Sequence, residues 1–351
     1  MSDEKYLEVK NLRTYFNTPE GVVKSVDGVS FTINKGETLA LVGESGCGKT
    51  VTSLSLIRLL ADTADVNYDH MELDGQEIKT LSKNEAREIR GSKISMIFQE
   101  PMTSLNPVYK IEKQLGEVFK LHNPGISKSE ITEKSIEILK KVGVPNPEER
   151  LKVYPHQLSG GLRQRVMIAI SLASNPKMLI ADEPTTALDV TIQAQIIDLL
   201  KNLQKDMQMS ILLITHDFGV VSQIADRVAV MYAGKIIEEG KLEDIFADPW
   251  HPYTKLLILS IPGIKVTRGG RLEAIQGTVP NPLNFPAGCR FAPRCPYSMD
   301  ICTKEIPKEY SENGRRVSCF LKGNGIDVNA QNAIANEEIE VANAEGGSSN
   351  E

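Results

Sequence analysis

The stretch Gly43-Glu44-Ser45-Gly46-Cys47-Gly48-Lys49-Thr50 constrains this chain more than any other. It fits the spacing G-x-x-x-x-G-K-[ST], a loop that cradles phosphate. Such a loop needs a strand before it and a helix after it. Thr38-Leu39-Ala40-Leu41-Val42 is a short apolar run that reads as a buried parallel strand, and Val51 to Leu60 reads as a helix. The loop then meets a helix N-terminus, where backbone N–H groups and the helix dipole favour an anion. Gly43, Gly46 and Gly48 let the backbone curl around phosphate. Lys49 adds a point charge for β- and γ-phosphates, the Thr50 hydroxyl suits Mg²⁺, and Cys47 reads as a small filler.

The 351 residues allow one large or two unequal domains, and 41% apolar content is ample for a core. A formal charge of −6 gives no basic footprint for nucleic acid. No run reaches the roughly 18 apolar residues of a membrane span, and the N-terminus lacks a signal peptide's apolar core. A cytosolic chain is therefore expected. Five cysteines in such a chain argue against a disulfide framework, yet Cys289, Cys295, Cys302 and Cys319 crowd into one short region.

Along the chain, Tyr6 to Phe16 and Val22 to Ile33 alternate apolar and polar residues, predicting antiparallel strands around a Pro19-Glu20-Gly21 turn. Phe16 is an aromatic upstream of the loop, able either to stack on a base or simply to fill a strand core. Ile94 to Phe98 reads as a strand running into Gln99. From about 101 to 155 the pattern turns helical, with a capping box at Ser127-Lys128-Ser129-Glu130 and a stop at Gly143. Ser159 caps a second helix opened by Gly160 and Gly161, another N-terminus suited to an anion. Met178 to Ala181 is a buried strand ending in Asp182-Glu183, and Ile211 to Ile214 is another, ending in Thr215-His216-Asp217. Carboxylates at the C-terminal end of a strand fit ligand chemistry in an open α/β sheet. Val228 to Tyr232 and Lys235 to Glu239 flank Ala233-Gly234 as a hairpin. Beyond Ser260, prolines recur and the four cysteines appear, a loop-rich region that calls for a staple. From about 327 to 351 the composition predicts a disordered acidic tail.

Together these motifs resemble the ATP-binding-cassette (ABC) ATPases from Tyr6 to about Ser260. Leu158-Ser159-Gly160-Gly161 resembles the family signature, with Leu162 where glutamine is commonest. Asp182 and Glu183 match the Walker B aspartate and catalytic glutamate. Ala187-Leu188-Asp189 matches the D-loop, Gln99 the Q-loop and His216 the switch histidine. The resemblance implies an α/β P-loop NTPase: a RecA-like core with an antiparallel β subdomain and a helical insert, followed by a small Cys/Pro-rich C-terminal domain. It divides the chain into a nucleotide-binding domain at 1–260, an extension at 261–326 and the tail. ATP is expected on Phe16, Gly43 to Thr50 and Val51. Mg²⁺ is expected on Thr50, Gln99 and Asp182, and catalysis from Glu183, His216 and Gln99. Two cassettes would close head to tail, each supplying Ser159, Gly160 and Gly161 to the other's site, with Asp189 in the D-loop.

His251-Pro252-Tyr253-Thr254, the Cys289 to Pro296 run and Cys302 resemble the C-terminal extension of oligopeptide/dipeptide importer ATPases, and Gln99 to Pro107 resembles that subfamily's Q-loop. The implied protein is a D-type subunit. It would pair with a homologous F-type ATPase beneath two transmembrane permeases, fed by an extracytoplasmic peptide-binding protein, at the cytoplasmic face of the cell membrane. Nickel or glutathione cargo, or a soluble non-transport ABC ATPase, are the alternatives. For the four cysteines, wide spacing without C-x₂-C pairs, together with the resemblance, points to a [4Fe–4S] cluster rather than Zn²⁺.

Overall fold

The computed structural model describes residues 4–78, 83–100, 104–186, 188–261 and 275–323. The predicted tail, Ala187 and Pro101 to Thr103 lie outside the described residues.

Strands β1 (Lys5–Thr18) and β2 (Gly21–Asn34) form the expected long hairpin. With β4 (Ala64–Asn67), β5 (His70–Leu73) and β6 (Gln76–Glu77) they make a five-stranded antiparallel sheet ordered β2-β1-β5-β6, with β4 on β1. The main sheet contains β3 (Thr38–Val42), β7 (Ile94–Ile97), β8 (Met178–Asp182), β9 (Ser210–Thr215), β10 (Arg227–Tyr232), β11 (Lys235–Lys241), β12 (Tyr310–Glu312) and β13 (Arg315–Val317). Its order is β12-β13-β11-β10-β3-β9-β8-β7, parallel from β10 to β7 and antiparallel beyond.

Every residue of β3, β8 and β9 is buried, because layers cover both faces of the main sheet; this is why their sequences are unbroken apolar runs. On one face, Leu39, Leu41, Ile180 and Ile214 pack against Leu7, Val9, Phe31 and Ile33 of the antiparallel sheet. On the other, Leu179, Ile211 and Leu213 meet Val166 and Ile168 of helix Gly160–Leu172 and Ile196 and Leu200 of helix Val190–Met207.

The helical insert contains Ile111–His122, Lys128–Lys141 and Pro147–Arg150. Its capping box is formed: Ser127 accepts from the Glu130 N–H while Glu130 accepts from the Ser127 N–H. Ile131, Leu139 and Val142 are buried as one face, and Gly143 stops the helix at φ +74°. The helix after the phosphate loop is shorter than the pattern suggested. It spans Lys49–Leu56, and the chain then turns through Arg58 at φ +53°.

The C-terminal stretch joins the main sheet, since β13 pairs with β11 through Glu238↔Val317 and Glu239↔Arg316. Phe291 is buried against Tyr232 and Tyr253, with ring centroids 5.2 and 5.3 Å away. These residues share one hydrophobic cluster with strands of the main sheet.

Candidate active site

Strand β3 delivers the chain into the phosphate loop at the C-terminal end of the sheet, and the strand termini bearing Gln99, Asp182 and His216 open on the same end. The glycines here are compulsory. A Cβ on Gly43 would lie 2.1 Å from the Met231 carbonyl oxygen, and one on Gly48, at φ +105°, would lie 2.3 Å from that of Ser25. Gly48 is also the N-cap of helix Lys49–Leu56, with no side chain to close off the helix end. Lys49 is only 5% exposed, and its Nζ donates to the carbonyls of Gly43 at 2.7 Å and Glu44 at 2.9 Å. Cys47 is fully buried behind the loop, as a filler should be. Ser45 and Gly46 are exposed at its tip, and Val51 packs against the core behind it.

Asp182 and Glu183 are neighbours in opposite conditions. Asp182 is 1% exposed, and its Oδ1 has no hydrogen-bond partner. Burial pushes its pKa up to about 6, against a hydrogen bond from Thr50 and the charge of Lys49. An unpaired carboxylate oxygen in a dry site beside a Thr hydroxyl fits a hard divalent cation such as Mg²⁺. Glu183 turns out of the sheet at φ +45°, its N–H donating to the Ile214 carbonyl at 2.8 Å. Its Oε2 accepts from Thr186 Oγ1 at 2.8 Å and Gln99 Nε2 at 3.1 Å, and its Oε1 lies 3.1 Å from His216 Nδ1. Burial alone would raise its pKa, but the bonds from Thr186 and His216 and the Lys49 charge bring it below the ordinary value. The carboxylate is thus kept ionised, as a group that orients and polarises water must be.

The second glycine turn is open. Ser159 caps helix Gly160–Leu172 by accepting from the Leu162 N–H at 3.4 Å, and Ser159 and Gly160 are exposed. Asp189 caps helix Val190–Met207 by accepting from the Ile192 N–H at 3.0 Å. Among the described residues, no hydrogen bond or ion pair links Ser159, Gly160, Gly161 or Asp189 to the phosphate loop. Phe16 is half-buried near the end of β1, opposite Val23 and Ala64.

The model of the "ABC transporter" family matches residues 26–186, from β2 past Glu183. A second, "Oligopeptide/dipeptide transporter, C-terminal region", matches residues 237–302. The oligopeptide transport ATP-binding protein AppD of Bacillus subtilis is 52% identical over 317 residues, covering 90% of this chain and 96% of that protein. The dipeptide transport ATP-binding protein DppD of the same organism is 49% identical, covering 94% of this chain and 98% of that one. The chain belongs to the ABC transporter ATP-binding family. Among solved structures, the ATP-binding cassette MJ0796, in a dimeric post-hydrolysis state bound to ADP and Pi, aligns at TM-score 0.61 and 28% identity. That alignment covers 67% of this chain and 98% of the cassette. The protein is thus an ATPase with the ABC cassette fold, built on ATP and Mg²⁺ chemistry.

The ABC sequence pattern did not disclose every partner of this site. Thr186, three residues after Glu183, supplies the shortest bond to its carboxylate, and nothing but that proximity marks it. Glu44 is held by Arg294 of the C-terminal extension and by Tyr253 of helix Pro252–Leu259. Both residues lie in stretches that the resemblance singled out, but nothing in those stretches tied them to the phosphate loop.

One expectation is corrected. The four cysteines are free thiols, and among the described residues no group of three or more His, Cys, Asp or Glu is placed to hold a metal ion. Cys289, Cys295, Cys302 and Cys319 do line one cavity, but its volume is about 20 Å³, little more than a water molecule occupies. Burial raises the pKa of Cys289 and takes those of Cys295 and Cys319 to about 11 and about 12, so without a metal these three are neutral thiols. These cysteines pack as small apolar side chains beside Phe291, and the [4Fe–4S] cluster and its Zn²⁺ alternative fall away.

Proposed function

We propose that this ATPase powers the uptake of oligopeptides or dipeptides from the cytoplasmic face of a cell membrane. The observation that carries the reading is the match of residues 237–302 to a region described for oligopeptide/dipeptide transporters, in a chain whose relatives are named for the same cargo. None of those relatives is named for nickel, glutathione or a non-transport role, so peptide cargo is preferred. Among the described residues no helix is long and apolar enough to cross a membrane, so the reading requires separate permeases. In it, the chain is the D-type subunit, paired with an F-type homologue beneath two permease subunits that receive cargo from an extracytoplasmic binding protein. Residues 1–260 form the nucleotide-binding unit, 261–326 the extension and 327–351 the tail.

The chemistry follows from the side chains. Gly43 to Val51 wrap the phosphates, Lys49 turns its ammonium from the loop carbonyls to the β- and γ-oxygens, and Phe16 stacks on adenine. Thr50, Asp182 and Gln99 hold Mg²⁺, which when bound neutralises charge on the phosphate oxygens. Glu183 orients and polarises the attacking water. His216, already joined to that carboxylate, contacts the γ-phosphate. The exposed Ser159-Gly160-Gly161 helix end and Asp189 complete the site of the opposing cassette. Catalysis is then mainly positioning and charge stabilisation.

The test is reconstitution of the chain in vesicles with the permeases and the second ATPase of its own transporter. Uptake of labelled di- to pentapeptides should require ATP, magnesium and the extracytoplasmic binding protein. ATP-driven uptake of nickel or glutathione, with peptides ignored, would overturn the cargo assignment.

A further inference from the structure

Glu44, the second residue of the phosphate loop, is gripped from behind by a side chain 250 residues downstream. Arg294 Nη1 donates to Glu44 Oε2 at 2.7 Å and Nη2 to Oε1 at 3.0 Å, a two-point ion pair. The guanidinium is itself fixed. Its side chain is 4% exposed, Nε donates to the Gln276 carbonyl at 2.8 Å, and Nη1 reaches Tyr232 Oη at 3.3 Å. A second grip comes from Tyr253, fully buried, whose Oη accepts from the Glu44 N–H at 2.9 Å. The Glu44 carbonyl accepts from Lys49. The N–H, carbonyl and carboxylate of this one loop residue are therefore all tied, the carboxylate to the C-terminal extension and the N–H to the helix that precedes it.

A loop carrying glycine at 43, 46 and 48 has little rigidity of its own. Ordering backbone costs conformational entropy, and a loop already ordered spares phosphate binding that cost. We propose that Arg294, aided by Tyr253, is a positioning residue that sets the phosphate loop for nucleotide through Glu44, making nucleotide affinity depend on the C-terminal extension. This rests on the loop's role in nucleotide binding. The same extension also contains Arg316, which pairs with Glu239 and Glu309 and, among the described residues, touches no part of the loop. It is the natural control for loss of a partly buried ion pair.

The experiment is calorimetric titration of the full chain with magnesium-ADP, alongside thermal melting. Arg294→Gln and Glu44→Ala should each weaken binding by about 5- to 20-fold, and the double variant no more than the worse single one, as expected for two groups in one interaction. Arg294→Lys, which keeps the charge but not the two-point geometry, should fall between wild type and Arg294→Gln. Arg316→Ala should lower the melting temperature and leave the affinity alone. Any of three results would overturn the proposal: Arg294→Gln binding within about twofold of wild type, losses that multiply in the double variant, or an Arg316→Ala loss as large as that of Arg294→Gln. If Arg294→Gln does not fold, the comparison of Glu44→Ala with Arg316→Ala decides. Wild type that fails to bind magnesium-ADP would overturn the role of the loop itself.

Discussion

Two helices in this protein begin on glycine beside an expected phosphate position, and they are built in opposite ways. The Lys49–Leu56 helix starts in a closed socket. Gly43 and Gly48 lie against backbone on the far side, its lysine is buried, and Glu44 is clamped from behind. The Gly160–Leu172 helix starts in the open. Ser159 caps it, and a Cβ on Gly160 would meet nothing nearer than Leu188 Cδ2 at 3.9 Å. One terminus is finished within the chain, and the other lacks a facing wall. In the proposed head-to-tail pair of cassettes, the open end would be half of an interface. The lesson is that a glycine's neighbours, more than the glycine itself, tell which half is which.

The contrast can be broken at several points. The largest effect belongs to the closed half's chemistry: Glu183→Gln in the assembled transporter should slow ATP hydrolysis by roughly 10²–10⁴-fold, the scale of a positioned general base, while binding ATP normally. Single-turnover assays with the partner cassette's glutamate also replaced would expose any residual route.

Next come the paired glycines. Gly48→Ala puts a methyl group 2.3 Å from the Ser25 carbonyl at a φ of +105°, and should weaken magnesium-ADP binding by about a hundredfold or more. Gly160→Ala should leave that affinity unchanged in the isolated chain and lower hydrolysis only in the closed pair. Equal losses in the two variants would erase the distinction.

The smallest effect is a pH dependence. With the Asp182 pKa near 6 in the fold and 3.8 as its ordinary value, protons bind the folded form more tightly. Stability without metal therefore falls as pH rises from about 4 to 6 and is level above that window. Mg²⁺ needs the ionised carboxylate, so its affinity should drop about tenfold from pH 7.5 to 5. Asp182→Asn should bind metal weakly at both, and a flat profile in wild type would separate Asp182 from the metal.

The closed half was largely legible in the sequence because its chemistry is local. Eight consecutive residues, framed by an apolar strand and a helix, state both the loop and its ligand class. Asp182, Glu183 and His216 could be placed because each ends a buried apolar run, and the fold brings those strand ends together. What could not be read depends on distance along the chain or on surroundings. Arg294 sits in a run that the resemblance singled out, yet nothing in the sequence pairs it with Glu44, 250 residues away. The cysteines misled for the second reason: their spacing is compatible with metal, but whether the fold sets the thiols as a ligand group around room for an ion depends on surroundings that spacing does not encode. The residues alone left Phe16 divided between stacking and packing, since one aromatic at the end of a strand serves either, and only the resemblance chose stacking.

The β12–β13 hairpin has a consequence for how this protein behaves at high concentration. It turns the outer margin of the main sheet from β11, seven residues with Ile236 and Ile237 within it, into β12, three residues ending in exposed Ser311 and Glu312. At the opposite margin β7 is only four residues long. Short edges, polar at β12 and largely buried at β7, offer little template for strand addition from another molecule. A chain cut before Tyr310 would present the longer edge with its backbone hydrogen bonds unspent, and should clump where the intact protein stays dispersed.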